Sequence, residues 1–382
     1  MGGFGSRGTG PALRMAFDIA ALDLGGAERQ VLEVASGLRE RGHDVLLVVN
    51  KSASHYAEYL GSVPLRELHR TSRLDASVMF DIRRALQAFK ADVCVCVDFN
   101  ALLWGRLAAA SLGCRVVIAE HATRAVTPLT IRVTNRLLSG MTDSVIACAE
   151  AQVESLVRGG HQVTKITVVR NGVDVKRFTR DVDGAGTVRR ELGVPPDALV
   201  VGLVAAHRLE KRHDRFISLL ERLPLKGING WGVMVGGGPL MKRTSAMAKA
   251  SSVSERLRVI GSRTEMPAIY SACDVVVLVS DDIETFPLCF LEAEACGVPV
   301  VGLDTGGVRE TMIAGETGFV VDSDNLEGMT STLAALLADR DKRLRMGRAG
   351  RQWVKRKLSR DAMVDGYERV LTGGKAAGHS ER

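Results

Sequence analysis

The sequence predicts an α/β protein of two doubly wound halves facing each other across a cleft. Three observations lead there. Short β-branched runs alternate with amphipathic stretches of about 10–15 residues, a spacing that implies a parallel sheet covered on both faces. The alternation pauses once, at RNGVDVKRFTRDVDGAGTV, where Asn171-Gly172 signals a turn and the residues to Thr187 are polar and aperiodic. It then resumes, and 382 residues with 46% apolar content are enough for two separate cores.

In the first half the strand-like runs are FDIAAL (17–22), DVLLVV (44–49), DVCVCV (92–97), RVVIAE (115–120), SVIACA (144–149) and ITVV (166–169). The first helix, AERQVLEVASGLRERG, sets Val31, Leu32, Ala35 and Leu38 on one face, and Gly42 stops it. ASVMFDIRRALQAFK and NALLWGRLAAASLG have the same character. In the second half the runs are ALVVGLVAA (198–206), WGVMVGG (231–237), RLRVIG (256–261), CDVVVLVS (273–280), VPVVGL (298–303) and GFVV (318–321). From Leu326 to about Leu371 the pattern is helical throughout. The expected divisions are a disordered tail over 1–12, Rossmann-like domains over 13–178 and 179–358, a C-terminal helix over 359–372 that crosses back to the first domain, and a tail over 373–382. Doubly wound sheets bind ligands outside the carboxyl ends of their strands, so the loops following the strands are where chemistry is sought.

Composition excludes several classes. No run approaches 18 uninterrupted apolar residues, and the opening MGGFGSRGTGPALR lacks the apolar centre of a secretory signal. Seven scattered cysteines, without a CxxC, HExxH or Cys/His cluster, read as free thiols of a cytoplasmic protein and give no metal site. The net charge of +7, larger in the first half, fits phosphate groups or acidic lipid headgroups and equally an ordinary soluble surface. With 4% aromatic residues and no basic block, nucleic acid is not the partner.

Taken in order, the loops carry these candidates. Gly25 and Gly26, in DLGGAE, let backbone pass close to a ligand at a helix start, and serve equally as a plain tight turn. Their spacing is not G-x-G-x-x-G, which excludes a dinucleotide oxidoreductase. His121 ends the run at 115–120, suited to a sugar hydroxyl or a phosphate and equally to a structural role. AAHRLEKRHD places Arg208, Lys211 and Arg212 before a helix. Cations oppose the macrodipole there unless an anion lies between; the alternative is a solvated charged loop. Gly237, in GGGPL, and Arg263, in GSR, follow the next two strands. DVD (181–183) and DSD (322–324) mimic a metal-binding Asp-x-Asp but sit in polar loops and read as turns.

The most informative segment is ETFPLCFLE, 284–292. In one continuous helix its two glutamates would stand roughly 80° and about 12 Å apart. Pro287 is tolerated only in a first helical turn, so the helix starts near Phe286 or Pro287, with Glu284 on the loop before it and Glu292 inside it. The amides of Phe286 and Leu288 then suit a phosphate. The two carboxylates suit two sets of hydroxyls flanking a diphosphate, as in a sugar nucleotide.

LGGAERQVLEVASGLRERGHDV, RNGVDVKRF, EKRHD, GGGPL, ETFPLCFLEAEACGVPVVGLDTGGVRE and ETGFVV together resemble the retaining glycosyltransferase family 4, of GT-B fold, over about residues 13–370. The resemblance implies metal-independent transfer of a hexose from a nucleoside diphosphate sugar, with a UDP-sugar the first expectation and no further cofactor. The first domain would take the acceptor, a glycan or lipid-linked polysaccharide precursor, and the second the donor. Carried over by position, Glu284 contacts the hexose and Glu292 the ribose. Phe286, Pro287 and Leu288 lie at the sugar–phosphate turn, while Lys211 with Arg208 or Arg212 neutralises the diphosphate. Gly25 and Gly26 approach the phosphate, His121 lies near the reacting sugar, Gly237 lines the donor side and Arg263 the base loop. Two positions depart from the family pattern. Ala206 stands where an arginine is usual, and Pro287 where glycine is common, which removes one amide donor.

That altered arginine position favours a rival reading, a non-catalytic nucleotide-binding partner of an active enzyme; the intact glutamate pair opposes it. An epimerase or hydrolase would need a further acid or base near the hexose. Finally, TPLTIRVTNRLL, with Arg124, Arg132 and Arg136, is a candidate amphipathic helix for peripheral contact with an acidic membrane at its inner face, the alternative being a buried connecting helix.

Overall fold

The computed structural model describes residues 11–22, 25–51, 63–68, 75–123, 127–281 and 284–373, with backbone alone for 98–102. Asp23, Leu24, Arg124, residues 52–62, residues 1–10 of the expected N-terminal tail and 374–382 of the C-terminal one lie outside it.

The chain divides into two compact units. The first runs to Asn171 and resumes at Arg360; the second is Gly172–Ser359. The division therefore falls at the Asn171-Gly172 turn rather than after residue 178, and the last helix belongs to the first unit.

In the first unit, strands β1 (Arg14–Ile19), β2 (Asp44–Val49), β3 (Leu65–Glu67), β4 (Val93–Val97), β5 (Arg115–Glu120), β6 (Ser144–Ala147) and β7 (Ile166–Val168) form a parallel sheet of order β3-β2-β1-β4-β5-β6-β7. The first strand starts three residues earlier than its β-branched run. Arg14 is drawn into it because Asp92 accepts from its backbone N–H at 2.7 Å. Strand β3 escaped the pattern because Leu65-Arg66-Glu67 is a three-residue edge strand with one apolar side chain.

Alternate residues feed two cores, as the period of two in a strand requires. Met15, Phe17, Ile19, Leu47, Val49, Val95 and Val97 pack under α1 (Gly26–Glu40) and the last helix. Ala16, Val48, Cys94, Cys96, Val116 and Ile118 pack under α2 (Ser77–Phe89) and α3 (Asp98–Ala110). Helices α4 (Leu129–Leu137) and α5 (Glu150–Arg158) flank β6 in sequence.

In the second unit, α6 (Val182–Glu191) leads into β8 (Val200–Val204), α7 (His213–Arg222), β9 (Trp231–Val235), α8 (Met241–Ala250), β10 (Leu257–Ile260), α9 (Met266–Ala272), β11 (Val275–Leu278), α10 (Leu288–Ala295), β12 (Val300–Leu303) and β13 (Gly318–Val321). The strands pair in parallel in the order β10-β9-β8-β11-β12-β13. Asp181 accepts from Gly184 N–H at 2.9 Å, so the first DVD aspartate caps α6. Helices α11 (Leu326–Ala338), α12 (Arg340–Lys357) and α13 (Arg360–Leu371) close the chain, the last returning to the first sheet. In each sheet the strand order reverses once, between β1 and β4 and between β8 and β11, and those switch points are where loops diverge to leave a crevice.

Candidate active site

In the second unit the switch point brings together the loop after β8 and the loop after β11. Lys211 Nζ donates to Glu284 Oε1 at 2.5 Å. Glu284 is buried and Lys211 half-buried, so this is a strong, partly desolvated pair. Arg212 follows at φ +46°, a left-handed backbone that is uncommon outside glycine. Its guanidinium bonds both carboxylate oxygens of Asp214 and pairs with Asp281 at 3.1 Å; Arg215 reaches the same Asp281 at 3.2 Å. Asp214 is held below the usual carboxylate range, first by that hydrogen bond. With Asp281 N–H donating to Glu210 O at 2.9 Å, the two loops are stapled side by side. Arg208 differs from Arg212: it is exposed, and its guanidinium makes no ion pair or hydrogen bond among the described residues.

Helix α10 begins at Leu288, one residue later than expected, because Pro287 takes the N-cap position with extended backbone. Glu284 thus lies on the loop and Glu292 in the second turn. Glu292 is 3% exposed, and the buried Tyr270 hydroxyl donates to its Oε2 at 2.5 Å. The Phe286 ring is buried, so only its backbone is placed for a ligand. Cys289 lies within the field of Glu284, Glu292 and Lys211. Burial first, and the two carboxylates next, raise its thiol far above its ordinary value. Sequence reading passed over Cys289 and Tyr270, since one is a small apolar-like residue in a helix and the other lies 22 positions from its partner.

The loop after β12 supports Glu284 from behind. Gly307 N–H donates to Glu284 O at 3.0 Å. Gly306 has φ +52°, and a Cβ there would stand 1.7 Å from the same carbonyl oxygen. Gly237 accepts from His207 N–H at 2.7 Å, joining the loops after β8 and β9. Arg263 is committed to Glu191 and Glu265 at 2.5 and 2.6 Å, which leaves the backbone of GSR as the free part of that loop. His207 and His213 stack with centroids 4.2 Å apart; both are buried, and burial lowers the pKa of each.

In the first unit, Gly25 precedes α1 with extended backbone and Gly26 opens that helix, while His121 follows β5. The Gln152 carboxamide donates to Glu120 O at 3.0 Å and Ala122 O at 3.3 Å, clamping the backbone on both sides of His121. The Nε2 atom of His121 lies 3.3 Å from the Tyr367 hydroxyl. Burial drives the His121 pKa down to about 4, opposed by hydrogen bonding with the Asn171 side chain.

Helix α4 is confirmed as amphipathic with an unusual outer face. Ile131 and Asn135 point inward, while Leu129, Val133, Leu137 and the following Met141 are exposed large apolar residues at a spacing of four. Exposed Arg132 and Arg136 run beside them. Among the described residues no helix is long and apolar enough to cross a membrane.

Comparison with known proteins agrees with this architecture. Residues 24–177 match Glycosyltransferase Family 4, and residues 186–353 match Glycosyl transferases group 1. A GDP-mannose-dependent alpha-(1-6)-phosphatidylinositol monomannoside mannosyltransferase of Mycolicibacterium smegmatis is 35% identical over 195 residues, 48% of this chain and 50% of that protein. A D-inositol 3-phosphate glycosyltransferase of Corynebacterium jeikeium is 32% identical over 231 residues, 58% of this chain and 55% of that protein. The chain thus spans about half the length of the curated relatives it matches. The structure of Anabaena HepE in complex with UDP superposes with a TM-score of 0.84 at 19% identity, covering 94% of this chain and all of that one. Two parallel sheets each with one switch point and this superposition show the GT-B fold, and the two family matches, one in each unit, make the chain GT4-like over both units.

Proposed function

We propose that the protein transfers a hexose-type sugar from a nucleoside diphosphate sugar to a glycan or lipid-linked acceptor, with retention of configuration and without a metal ion. The observation that carries the reading is the arrangement around α10: Glu284 before its N-terminus, Glu292 in its second turn, and Lys211 bonded to Glu284. A diphosphate at that N-terminus would meet first-turn amides and the positive end of the helix dipole. Lys211 spends one of its three N–H groups on Glu284 and keeps two for phosphate oxygens. Since Arg212 is occupied by Asp214 and Asp281, Arg208 is the second cation for the departing charge. Glu284 would hold hexose hydroxyls and Glu292 ribose hydroxyls. The backbone near Gly237 and Arg263 would border the base, and by their positions in the family pattern Gly25, Gly26 and His121 are the first unit's candidates for donor binding. The acceptor attacks the face that the diphosphate leaves, and the leaving phosphate takes its proton. Fixed cations and amides supply the main lowering of the barrier.

The name of the mycobacterial relative puts GDP-mannose beside UDP-sugars as a donor to test. Melting curves in EDTA with UDP, GDP, ADP, CMP and NAD test the reading. A ligand at 100 times its dissociation constant adds about 2.7 kcal/mol. One nucleoside diphosphate should stabilise the wild type and not Glu292→Ala. Stabilisation by none would favour the non-catalytic alternative.

The exposed Leu129–Val133–Leu137–Met141 ridge flanked by Arg132 and Arg136 supports peripheral contact with an acidic bilayer, which would present a lipid-linked acceptor. Co-sedimentation with vesicles containing acidic lipid should be lost in Leu137→Asp/Arg136→Glu. Wild-type protein that fails to sediment would end this reading.

A further inference from the structure

We infer that Tyr367, on the last helix, is a positioning residue for His121: its hydroxyl sets the imidazole tautomer and so decides which ring nitrogen faces a ligand. The inference rests on the proposed place of His121 beside the donor sugar.

Helix α13 packs Met363, Val364, Tyr367 and Val370 into the core beneath the first sheet. It lies close because Gly366 faces Val169, where a Cβ would come within 2.5 Å of a valine methyl. That seating brings the Tyr367 hydroxyl to 3.3 Å from His121 Nε2, across 246 positions of sequence. Tyr367 is 2% exposed, and no other partner of its hydroxyl exists among the described residues.

A neutral imidazole carries one N–H and one bare nitrogen, and the hydrogen bond made by one nitrogen fixes the role of the other. Burial keeps His121 neutral at physiological pH and keeps the Tyr367 hydroxyl protonated. Were Nε2 to carry the proton and donate to Tyr367, the buried phenol O–H would be left without an acceptor, and an unmade buried bond is costly. Donation by Tyr367 to Nε2 removes that cost and puts the ring proton on Nδ1. Among the described residues Nδ1 is covered and stands in hydrogen-bond geometry with no group, and the Asn171 side chain is the one neighbour that interacts with the ring, so Nδ1–H is the donor offered to an oxygen that reaches the ring past Asn171. Gln152 fixes the backbone on either side, so tyrosine and glutamine together define where that donor points.

Protein labelled with 15N-histidine, with His121 assigned through His121→Gln, reads the tautomer directly. The expected result is a bare Nε2 and a protonated Nδ1 in the wild type, with the Nε2–H form appearing in Tyr367→Phe. Wild-type His121 protonated at Nε2 would overturn the inference. In sugar transfer, Tyr367→Phe should lower kcat about ten-fold, the worth of one hydrogen bond, with donor KM within about two-fold. Added to His121→Ala, it should cost nothing further; an equal loss in that background would make Tyr367 merely structural. If His121→Ala itself transfers at the wild-type rate, the sugar-side role of His121 falls, and the tautomer signals still decide whether Tyr367 sets the ring.

Discussion

The Lys211 ammonium stands 2.5 Å from the Glu284 carboxylate, a bond between loops 73 positions apart that closes the switch point of the second sheet. Removing the lysine strips a cation from the proposed leaving group and leaves a carboxylate with 7% of its side chain exposed unpaired. Lys211→Ala should lower kcat/KM by about 10²-fold or more. Arg208→Ala should lower it too, while Arg212→Lys should act mainly on stability. Steady-state transfer assays beside melting curves separate the three. Wild-type kcat/KM in Lys211→Ala would sink the assignment.

Tyr270 and Glu292 form the matching support on the helix side. Tyr270→Phe keeps the buried ring and removes the donor, so it should cost roughly 1–2 kcal/mol of stability and weaken nucleotide binding about ten-fold. Calorimetric titration with the stabilising nucleotide checks this. Unchanged affinity would mean that Glu292 is held in place without the Tyr270 hydroxyl.

Gly306 is where the backbone leaves no room. Alanine there meets both a left-handed φ and the Glu284 carbonyl at 1.7 Å, so Gly306→Ala should displace the Glu284 loop and destabilise by about 2 kcal/mol or more. Gly315, at φ +82° with open space around its Cβ position, is the control, and Gly315→Ala should cost about 1 kcal/mol. Equal melting temperatures for the two variants would refute the steric argument.

Buried histidines set the acid limit. His121, His161 and His213 are each lowered from 6.5 to about 4, burial being the first cause in all three. The unfolded chain therefore binds more protons between these values, so their contribution is complete above pH 6.5 and is lost as pH falls toward 4. The difference in melting temperature between wild type and His213→Phe, which isolates one of these rings, should be flat from pH 7 to 8 and change between pH 6.5 and 5, the wild type falling further. A difference that stays flat down to pH 5 would contradict the burial of that ring.

Glu294 acts in the opposite sense. It is fully buried on α10, among the described residues neither carboxylate oxygen stands in hydrogen-bond geometry with a partner, and burial raises its pKa well above 4.5 against an opposing influence of the Thr317 side chain. A raised carboxylate is harmless below the unfolded value and costs stability as pH rises through the folded one. Glu294→Leu should therefore raise the melting temperature at pH 7.5 by the equivalent of about 1–3 kcal/mol, with a smaller gain at pH 4.5. A loss of stability at pH 7.5 would show that the carboxyl is paired.

The sequence by itself determined the two parallel sheets, the loops that carry the candidate residues, and the separation of Glu284 from Glu292 by Pro287. These are consequences of local periodicity and of proline's missing N–H, which act within a few residues. Tertiary structure decided which arginine is occupied and which is free, because Asp281 reaches Arg212 only through the β8–β11 pairing. It also decided that Tyr270 holds Glu292, that Gly306 must lack a side chain, and that Tyr367 returns to His121. Such contacts join positions 22 to 246 apart and leave no period in the chain, since they depend on how crossovers place one loop against another. The short edge strand at Leu65–Glu67 belongs with them: its one apolar residue gives no alternation, and it is a strand because β2 pairs with it.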